Sequence, residues 1–497
     1  MSERDERSKP WRFYGRASEL SELATILDRR RWCFVKVTGR RRIGKTALIN
    51  MALKRARGAE RHVIYVTIPD SAPAGVLSAV GDALETFNVP PERYPRPQSL
   101  DQFARLIEAL LEDGWLVVLD EFQYVNRKSL FEFCSFLQAG VDRLTARASE
   151  ITGALIVLGS IHGEMTALLD DRVAPLYNRT TDAIELTHLD IASVLAILSE
   201  HADPSPERLL FFWTLFEGVP KFYRDAYEQE VLDQDRLTVL RRIFFESSSP
   251  LRSEAENWFL RELRGRYDTI LKFVARVPGR LHGDLVQAIR DVDGSDDKQV
   301  GGYLKTMIER YQLIERKQPV FAKPNARRGR YYLRDNFLQA WLGALAQSVS
   351  ARDFRPLPDL IEEADQRLAK VEGICLERLV AILYHERSRK GVGDFPLTER
   401  IDGYWDRADT EIDLVAINEA DGRIRFGSCK RNSGRLVTDA FNFIAHVERF
   451  LTAFPAYRSW TVERVAIAPR LDDDARKALN RAGLIPQDLN DLTAGLK

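Results

Sequence analysis

The sequence predicts an α/β protein whose main element is a parallel β-sheet. Three observations support this fold class. An apolar strand at 32–38 leads into a glycine-containing loop and a helix. A second apolar strand, 115–121, ends in two carboxylates, and a third, 154–158, ends in Gly-Ser. Strands that are apolar on both faces are typical of a parallel sheet with helices on either side.

Length and composition indicate a globular protein with more than one core. The chain has 497 residues, of which 45% are hydrophobic and 29% are charged, so we expect three or four units. The 73 basic and 73 acidic residues cancel, so any affinity for nucleic acid must come from a local patch.

The four cysteines lack CxxC spacing and favour neither a zinc site nor a disulfide framework. A polar N-terminal segment, and apolar runs too short to span a bilayer, lead us to expect a cytoplasmic protein without a membrane partner.

The loop after the first strand has the sequence GRRRIGKT and fits the phosphate-binding pattern GxxxxGK[ST]. Its backbone N–H groups and the N-terminus of the next helix are suited to bind phosphates. We expect Lys45 to reach the β- and γ-phosphates and the Thr46 hydroxyl to bind Mg²⁺. The residues of this segment that we predict to hold ATP or ADP are Gly39, Arg40, Arg41, Arg42, Ile43, Gly44, Lys45, Thr46 and Ala47.

Four further residues complete the predicted catalytic site. Asp120, at the end of the second strand, would hold Mg²⁺ through water, and Glu121 would orient and polarise the attacking water. Ser160 follows the third strand and would hydrogen-bond the γ-phosphate or that water. Arg179 precedes a strand at 183–186 and is either structural or a finger presented to a neighbouring subunit. These residues predict a Mg²⁺-dependent ATPase.

The motifs occur in an order that resembles a known family. The segments FYGR at 13–16, GRRRIGKT, VVLDE, LGS and PLYNR are followed by Gly218-Val219-Pro220. This series is similar to the archaeal-type ATPases of the AAA+/STAND branch of P-loop NTPases. The resemblance implies that Phe13, Gly15 and Pro220 flank the nucleotide base, and it adds Arg16 to the predicted nucleotide-binding residues.

Helical and basic segments follow the predicted ATPase core. Apolar residues at helical spacing from 191 to 245 predict a helical lid, and three helices and a hairpin from Tyr267 predict a winged helix. The hairpin region holds seven basic residues and no acidic ones, namely Arg316, Lys317, Lys323, Arg327, Arg328, Arg330 and Arg334. This charge favours DNA as a partner. The alternative is that the wing meets an acidic protein surface or the protein's own lid.

The last part of the sequence resembles a PD-(D/E)xK nuclease core. Its motif residues are Glu377 on a helix, Asp413 on a strand, and Lys430 at the end of the next strand. The resemblance implies that the two carboxylates bind Mg²⁺ and that the lysine stabilises charge during phosphodiester cleavage. Ser428 stands where a second carboxylate is usual, and a hydroxyl is a poor ligand for a hard cation. A nuclease-like domain without activity is therefore the alternative.

The complete prediction is a P-loop NTPase parallel sheet with helical lid, winged helix and a C-terminal α/β restriction-endonuclease-like domain. The expected boundaries are 1–190 for the core, 191–250 for the lid, 251–358 for the winged helix with a helical bridge, and 359–497 for the last domain. The predicted function is a STAND/AAA+ type ATP-hydrolysing switch coupled to DNA binding and Mg²⁺-dependent cleavage, acting as a homo-oligomer if Arg179 works in trans. The alternative is a scaffold in which ATP controls protein interactions.

Overall fold

The computed structural model describes residues 9–58, 61–160, 162–252, 254, 266–293, 297–323, 326 and 328–496. The chain forms two compact units. We call the unit of residues 15–188 and 219–221 the parallel-sheet unit, and the unit of residues 1–14, 189–218 and 222–497 the larger unit.

The parallel-sheet unit confirms the predicted α/β fold. Its five strands are β1 (Cys33–Gly39), β2 (Val63–Thr67), β3 (Leu116–Asp120), β4 (Ala154–Gly159) and β5 (Asp182–Leu186). They are all parallel, in the order β2-β3-β4-β1-β5. The helices are α1 (Ala17–Asp28), α2 (Lys45–Gly58), α3 (Pro73–Thr86), α4 (Leu100–Glu112), α5 (Phe131–Ala146) and α6 (His162–Leu169).

The core of this unit explains why the central strands are so apolar. Every residue of β3 and β4 is buried, as expected for strands covered by helices on both faces. Phe103 of α4 stacks on Phe133 of α5, with ring centroids 4.9 Å apart. Because β4 lies between β3 and β1, the carboxyl ends of these three strands meet at one edge of the sheet.

The larger unit begins with helices and a small sheet. Its first helices are α7 (Ile191–His201), α8 (Pro206–Phe216), α9 (Pro220–Glu228, whose first two residues belong to the parallel-sheet unit) and α10 (Arg236–Leu240), which a π-helical turn at 241–245 extends. Then come α11 (Arg266–Arg276), β6 (Arg280–Leu281), α12 (His282–Asp293), α13 (Asp297–Glu309), β7 (Ile314–Lys317) and β8 (Arg330–Leu333). The three strands form an antiparallel sheet in the order β6-β8-β7. The sequence predicts β7 and β8 but not the two-residue strand β6.

A mixed five-stranded sheet forms the rest of the larger unit. The helices before it are α14 (Asn336–Ala340), α15 (Ala346–Ser350) and α16 (Leu357–Arg389). The sheet and its helices are β9 (Asp402–Trp405), β10 (Glu411–Asn418), β11 (Arg423–Cys429), α17 (Ser433–Thr438), α18 (Ala440–Ala453), β12 (Thr461–Ala468), α19 (Asp473–Arg481), β13 (Ile485–Asp488) and α20 (Leu489–Thr493). The order is β13-β12-β11-β10-β9. Strand β12 pairs in parallel with β11 and β13, whereas β10 pairs antiparallel with β9 and β11.

Helix α16 joins several parts of the larger unit through buried carboxylates. It spans 33 residues and includes the predicted helix that carries Glu377. Glu386 is 3% exposed and accepts hydrogen bonds from the N–H groups of Ile191 and Ala192, at 2.8 and 3.1 Å, so it caps α7. Glu372 is 1% exposed and pairs with Arg236 of α10 and with Arg431, which follows β11.

The predicted division into four domains stays a prediction, and its boundary at 358/359 lies in the first turn of α16. Within the described part of the chain, no helix combines the length and the apolar character needed to cross a bilayer.

Helix α18 offers a test of the packing in the mixed-sheet region. Phe450 is fully buried, with its ring 4.9 Å from those of Tyr404 and Phe426, whereas Phe441 of the same helix is 78% exposed. We expect Phe450→Ala to lower the free energy of unfolding by about 3–5 kcal/mol and Phe441→Ala to change it by less than about 0.5 kcal/mol. Urea denaturation followed by tryptophan fluorescence measures both. Equal midpoints for the two variants would contradict this packing.

Candidate functional site

The loop after β1 depends on glycine. Gly39 and Gly44 have φ values of 147° and 97°, in the region that disfavours side chains. A Cβ added to Gly39 would lie 2.5 Å from the carbonyl oxygen of Leu186. The loop therefore adopts a tight turn that other residues could not make without displacing β5.

Lys45 lies at the centre of this loop. Its side chain is 6% exposed, and its Nζ donates hydrogen bonds to the carbonyl oxygens of Gly39 and Arg40, at 2.8 and 3.0 Å. Burial lowers the pKa of Lys45 to about 8, while the carboxylates of Glu121 and Asp120 act in the opposite direction. Lys45 thus lies near Asp120, the last residue of β3, and Glu121, which follows it.

Asp120 is the carboxylate that joins the loop to β3. Thr46 Oγ1 donates to Asp120 Oδ2 at 3.1 Å, and the hydroxyl of Tyr65 on β2 donates to the same oxygen. The N–H group of Glu121 donates to Asp120 Oδ1 at 2.8 Å. Asp120 and Thr46 therefore present adjacent oxygen atoms, as a hard divalent cation requires. Tyr65 was not predicted, because nothing in the sequence of β2 marks this tyrosine as facing the end of β3.

Glu121 and Ser160 are connected through Gln123. Glu121 has a left-handed backbone, with φ of 55°, and a 3₁₀ helix at Phe122–Asn126 follows it. Gln123 is 4% exposed. Its Nε2 donates to the Glu121 carboxylate, and its Oε1 accepts from the backbone N–H of Ser160 at 3.2 Å. The structure thus brings Ser160 and Glu121 together, with a buried glutamine that the sequence analysis did not identify.

Two other predicted nucleotide-binding residues contact or approach the loop. The buried guanidinium of Arg16 donates to the carbonyl oxygens of Ile43, at 3.2 Å, and Thr187, and pairs with Glu19 at 2.9 Å. Arg16 therefore connects the phosphate-binding loop, at Ile43, to Thr187, the residue after β5. Pro220 lies beside it: a Cβ on Gly44 would be 3.6 Å from Pro220 Cγ.

The remaining residues predicted to bind nucleotide differ in their surroundings. Arg40 contacts His188 at 3.2 Å, Arg41 and Ala47 are exposed, and Phe13 belongs to the larger unit. Their roles toward a nucleotide stay predictions, as do those of Gly15 and Arg42.

Arg179 is engaged within its own subunit. Its Nε and Nη2 donate to the two carboxylate oxygens of Asp142 at 2.7 and 3.0 Å, and its Nη1 donates to the carbonyl oxygen of Tyr177. The hydrogen bonds from Arg179 to its carboxylate lower the pKa of Asp142. A role as a finger in a neighbouring subunit stays a prediction and would require Arg179 to leave this pair.

The residues at the end of β1 and β3 fit a nucleoside triphosphate with Mg²⁺. Gly39 and Gly44, with positive φ, give the loop the tight turn typical of backbone that binds phosphate. The Thr46 hydroxyl and the Asp120 carboxylate supply oxygen ligands for the cation, and Lys45 supplies positive charge beside them.

The three residues of the nuclease-like motif also come together, in the larger unit. Lys430 Nζ lies 3.2 Å from Asp413 Oδ2, which also accepts a hydrogen bond from the N–H of Cys429 at 2.7 Å. Although burial opposes it, the Asp413 carboxylate raises the pKa of Lys430. Burial, together with Asp413, raises the pKa of Glu377. Proteins usually hold Mg²⁺ with one or two carboxylates plus water. Glu377 and Asp413 supply two carboxylates and therefore fit it. Ser428, which is buried, adds no third carboxylate.

The predicted wing packs against its own mixed sheet. The N–H of Val320 donates to the carbonyl oxygen of Gly403 in β9 at 2.9 Å. Trp405 Nε1 donates to the carbonyl oxygen of Arg328 at 2.9 Å, and Arg330 pairs with Glu411 and lies over the Trp405 ring. This contact with the mixed sheet was not among the predicted alternatives, which were DNA, an acidic protein surface and the protein's own lid, and the partner of the wing stays a prediction.

Part of the basic charge of the wing is used inside the protein. Arg330 pairs with Glu411, and Lys317 lies 3.4 Å from Glu315. Arg327 lies outside the described residues. The exposed basic residues of the described part of the wing are Arg316, Lys323, Arg328 and Arg334.

Two protein-family models match separate parts of the chain. Residues 13–221 match an ATPase domain found predominantly in Archaea. Residues 341–440 match a family described as archaeal bacterial proteins of unknown function. The first match confirms the archaeal ATPase part of the predicted resemblance, whereas the resemblance to nucleases stays a prediction.

Individual relatives are distant. An uncharacterized protein of Methanocaldococcus jannaschii is 24% identical over 434 residues, which cover 84% of this chain and 87% of the relative. A Walker-type ATPase of Pyrococcus abyssi is 18% identical, covers 68% of this chain and 99% of its own, and has a TM-score of 0.49. The ORC2 protein of Aeropyrum pernix, solved in ADPNP–ADP complexes, is 16% identical, covers 74% of this chain and 97% of its own, and has a TM-score of 0.46.

Proposed function

We propose that this protein binds ATP and hydrolyses it with Mg²⁺ at the carboxyl ends of β1, β3 and β4. The observation that carries the proposal is the hydrogen bond between Thr46 Oγ1 and Asp120 Oδ2, at 3.1 Å, beside the buried Lys45. It joins the phosphate-binding loop to the acidic end of β3, and both lie within the segment that matches an archaeal ATPase domain.

Each residue of this site has a definable task. The loop N–H groups and Lys45 bind the β- and γ-phosphates. Thr46, and Asp120 through water, would hold Mg²⁺, which would neutralise phosphate charge. Glu121 accepts the proton of the attacking water. Ser160, whose backbone is bonded to Gln123 at 3.2 Å, interacts with the γ-phosphate or the water.

Arg179 is proposed to act in trans in a homo-oligomer. An arginine that stabilises charge in the transition state contributes strongly to phosphoryl transfer. Its side chain is 26% exposed while paired with Asp142. An exposed carboxylate holds an arginine only weakly, so a γ-phosphate in a neighbouring subunit can compete for the guanidinium.

The region from α11 to β8 is proposed to be a winged helix that contacts DNA. Its order of helices and strands, with β6 pairing to β8, supports this identity. Arg316, Lys323, Arg328 and Arg334 are exposed, and none of the four pairs with a carboxylate of the described residues. Such charges are suited to a phosphate backbone.

The mixed-sheet region is proposed to be a nuclease-like domain because it brings Asp413 and Lys430 together beside Glu377. Lys430 Nζ and Asp413 Oδ2 lie 3.2 Å apart, so the lysine and the strand carboxylate of the motif are in contact. With Ser428 in place of a second strand carboxylate, Mg²⁺-dependent cleavage depends on Glu377 and Asp413 alone. We propose that ATP hydrolysis in a cytoplasmic switch controls this DNA transaction.

A protein-interaction scaffold is the second candidate function. The packing of the wing on β9, through Val320 and Trp405, favours it, because a wing occupied by its own protein has less surface for DNA. In this case ATP would control self-association and the larger unit would bind protein partners.

The ATP site is tested with two substitutions of opposite effect. We expect Lys45→Ala to abolish ATP binding, because it removes the charge that faces the phosphates. Glu121→Gln should bind ATP as the unchanged protein does but lower kcat by about 10²–10⁴-fold, the usual contribution of a general base. Calorimetric titration and phosphate release measure the two properties. Hydrolysis by the Glu121→Gln protein at the unchanged rate would show that Glu121 is not the base.

The trans role of Arg179 requires mixed subunits. We expect Arg179→Ala and Glu121→Gln proteins to be inactive alone and to recover hydrolysis when mixed, because one supplies the base and the other the arginine. Asp142→Ala is the control, since it frees Arg179 without removing it and should retain activity. Phosphate release measured against total protein concentration follows the recovery. If the mixture is as inactive as its components, Arg179 does not act across an interface.

The contribution of the wing to DNA binding is tested by charge reversal. We expect Lys323→Glu with Arg328→Glu to weaken binding to duplex DNA and to reduce the slope of log K against log salt by about 1 per lost phosphate contact. The control is Lys477→Glu with Arg481→Glu on α19, an equal charge change on exposed residues. Fluorescence anisotropy at several salt concentrations gives both values. Unchanged DNA affinity together with loss of self-association would favour the scaffold.

Cleavage is tested on supercoiled plasmid with Mg²⁺ or Mn²⁺, in the presence of ATP, of ADP, or of neither. If the nuclease-like site is active, nicked or linear DNA forms with the unchanged protein and not with Asp413→Ala, which removes its central carboxylate. Intact plasmid in every condition, with ATP hydrolysis present, would indicate a domain that binds without cleaving.

A further inference from the structure

Gln123 is buried in the proposed ATP site, and none of the roles of Lys45, Glu121 and Ser160 explains why a glutamine lies there. It is 4% exposed and lies on the 3₁₀ helix after β3, between the fully buried Phe122 and the 2% exposed Val125. A buried side-chain amide must find hydrogen-bond partners, because leaving one unpaired is costly. Both ends of Gln123 have a partner, and each partner belongs to the proposed catalytic site.

The two hydrogen bonds of Gln123 have defined directions. Its Nε2 donates to the Glu121 carboxylate, and its Oε1 accepts from the N–H of Ser160 at 3.2 Å. The amide therefore connects the end of β3 to the end of β4. A carboxylate can only accept and a backbone N–H can only donate, so a side chain that has both a donor and an acceptor is needed between them.

The backbone at Glu121 makes this connection important. Glu121 has φ of 55° and ψ of 36°, a left-handed conformation that is unfavourable for a residue with a side chain. It turns the chain sharply after β3, so that the side chain two residues later can reach back to Glu121. The direction of the Glu121 carboxylate thus depends on Gln123 as well as on its own rotamer.

We propose that Gln123 is a positioning residue, which holds the Glu121 carboxylate toward the water-activating position and links it to Ser160. The inference rests on the proposed ATP hydrolysis and names a residue through which the two strand ends act together. Gln123 does not contact the nucleotide in this role. A displacement of Ser160 when the γ-phosphate binds or leaves is passed to the base through one amide group.

The main test replaces Gln123 with methionine, which has a similar length and no hydrogen-bonding amide. We expect Gln123→Met to lower kcat by about 10–100-fold, the cost of a base displaced by about 1 Å, with the Kd for ATP within about twofold of the unchanged protein. The control is Gln98→Met, the same substitution at an exposed position. Calorimetric titration gives the Kd, and single-turnover phosphate release gives the rate of hydrolysis.

A second variant separates the two hydrogen bonds. Gln123→Glu keeps an oxygen that can accept from the Ser160 N–H but brings a second carboxylate next to Glu121 in place of the donor. We expect it to lose at least as much activity as Gln123→Met while binding ATP normally. It also serves if methionine disturbs folding, because glutamate preserves the shape of glutamine.

The double variant distinguishes positioning from packing. If Gln123 acts through Glu121, Gln123→Met has no further effect in the Glu121→Gln protein. An unchanged kcat for Gln123→Met, or an equal fold-loss in both backgrounds, would overturn the inference and leave the ATPase proposal intact. Absence of hydrolysis by the unchanged protein would overturn both.

Discussion

The order of strands in the parallel sheet is the constraint on which the candidate site depends. β4 is paired with both β3 and β1, and all strands of a parallel sheet end at the same edge. The loop after β1, the carboxylates after β3 and Ser160 after β4 therefore converge, although more than a hundred residues separate the first from the last. Burial of β3 and β4 on both faces fixes the strand positions, and with them the distance between Thr46 and Asp120.

In the larger unit, helix α16 has a comparable organising role. Its carboxylates Glu372 and Glu386 are almost fully buried, and each is compensated by arginines or by the N-terminus of α7. A buried carboxylate without partners is strongly unfavourable, so these contacts restrict how α7, α10 and the mixed sheet are arranged within this unit. Glu377, in the nuclease-like motif, lies on the same helix. The geometry of that motif thus depends on contacts that reach α7 and α10.

Sequence patterns predicted the parallel sheet and the place of the loop and the Asp-Glu pair at its strand ends, because the spacing GxxxxGKT and an apolar strand ending in Asp-Glu are local signals. They did not predict Tyr65 or Gln123, because these side chains reach the site only through strand order and through the left-handed turn at Glu121. The Asp142 partner of Arg179 comes from a separate helix and has no local signal either. The docking of the wing on β9 was not predicted, since charge alone does not tell which surface a basic segment contacts.

The most direct test of the account is the Mg²⁺ dependence of ATP hydrolysis by the full chain and by its Asp120→Asn variant. If Thr46 and Asp120 hold the cation beside Lys45, the unchanged protein releases phosphate with Mg²⁺ and none with EDTA. The variant should then need a much higher Mg²⁺ concentration to reach half its maximal rate. Phosphate release that is insensitive to EDTA, or an identical Mg²⁺ dependence for the two proteins, would contradict the assignment of this strand edge as the catalytic site.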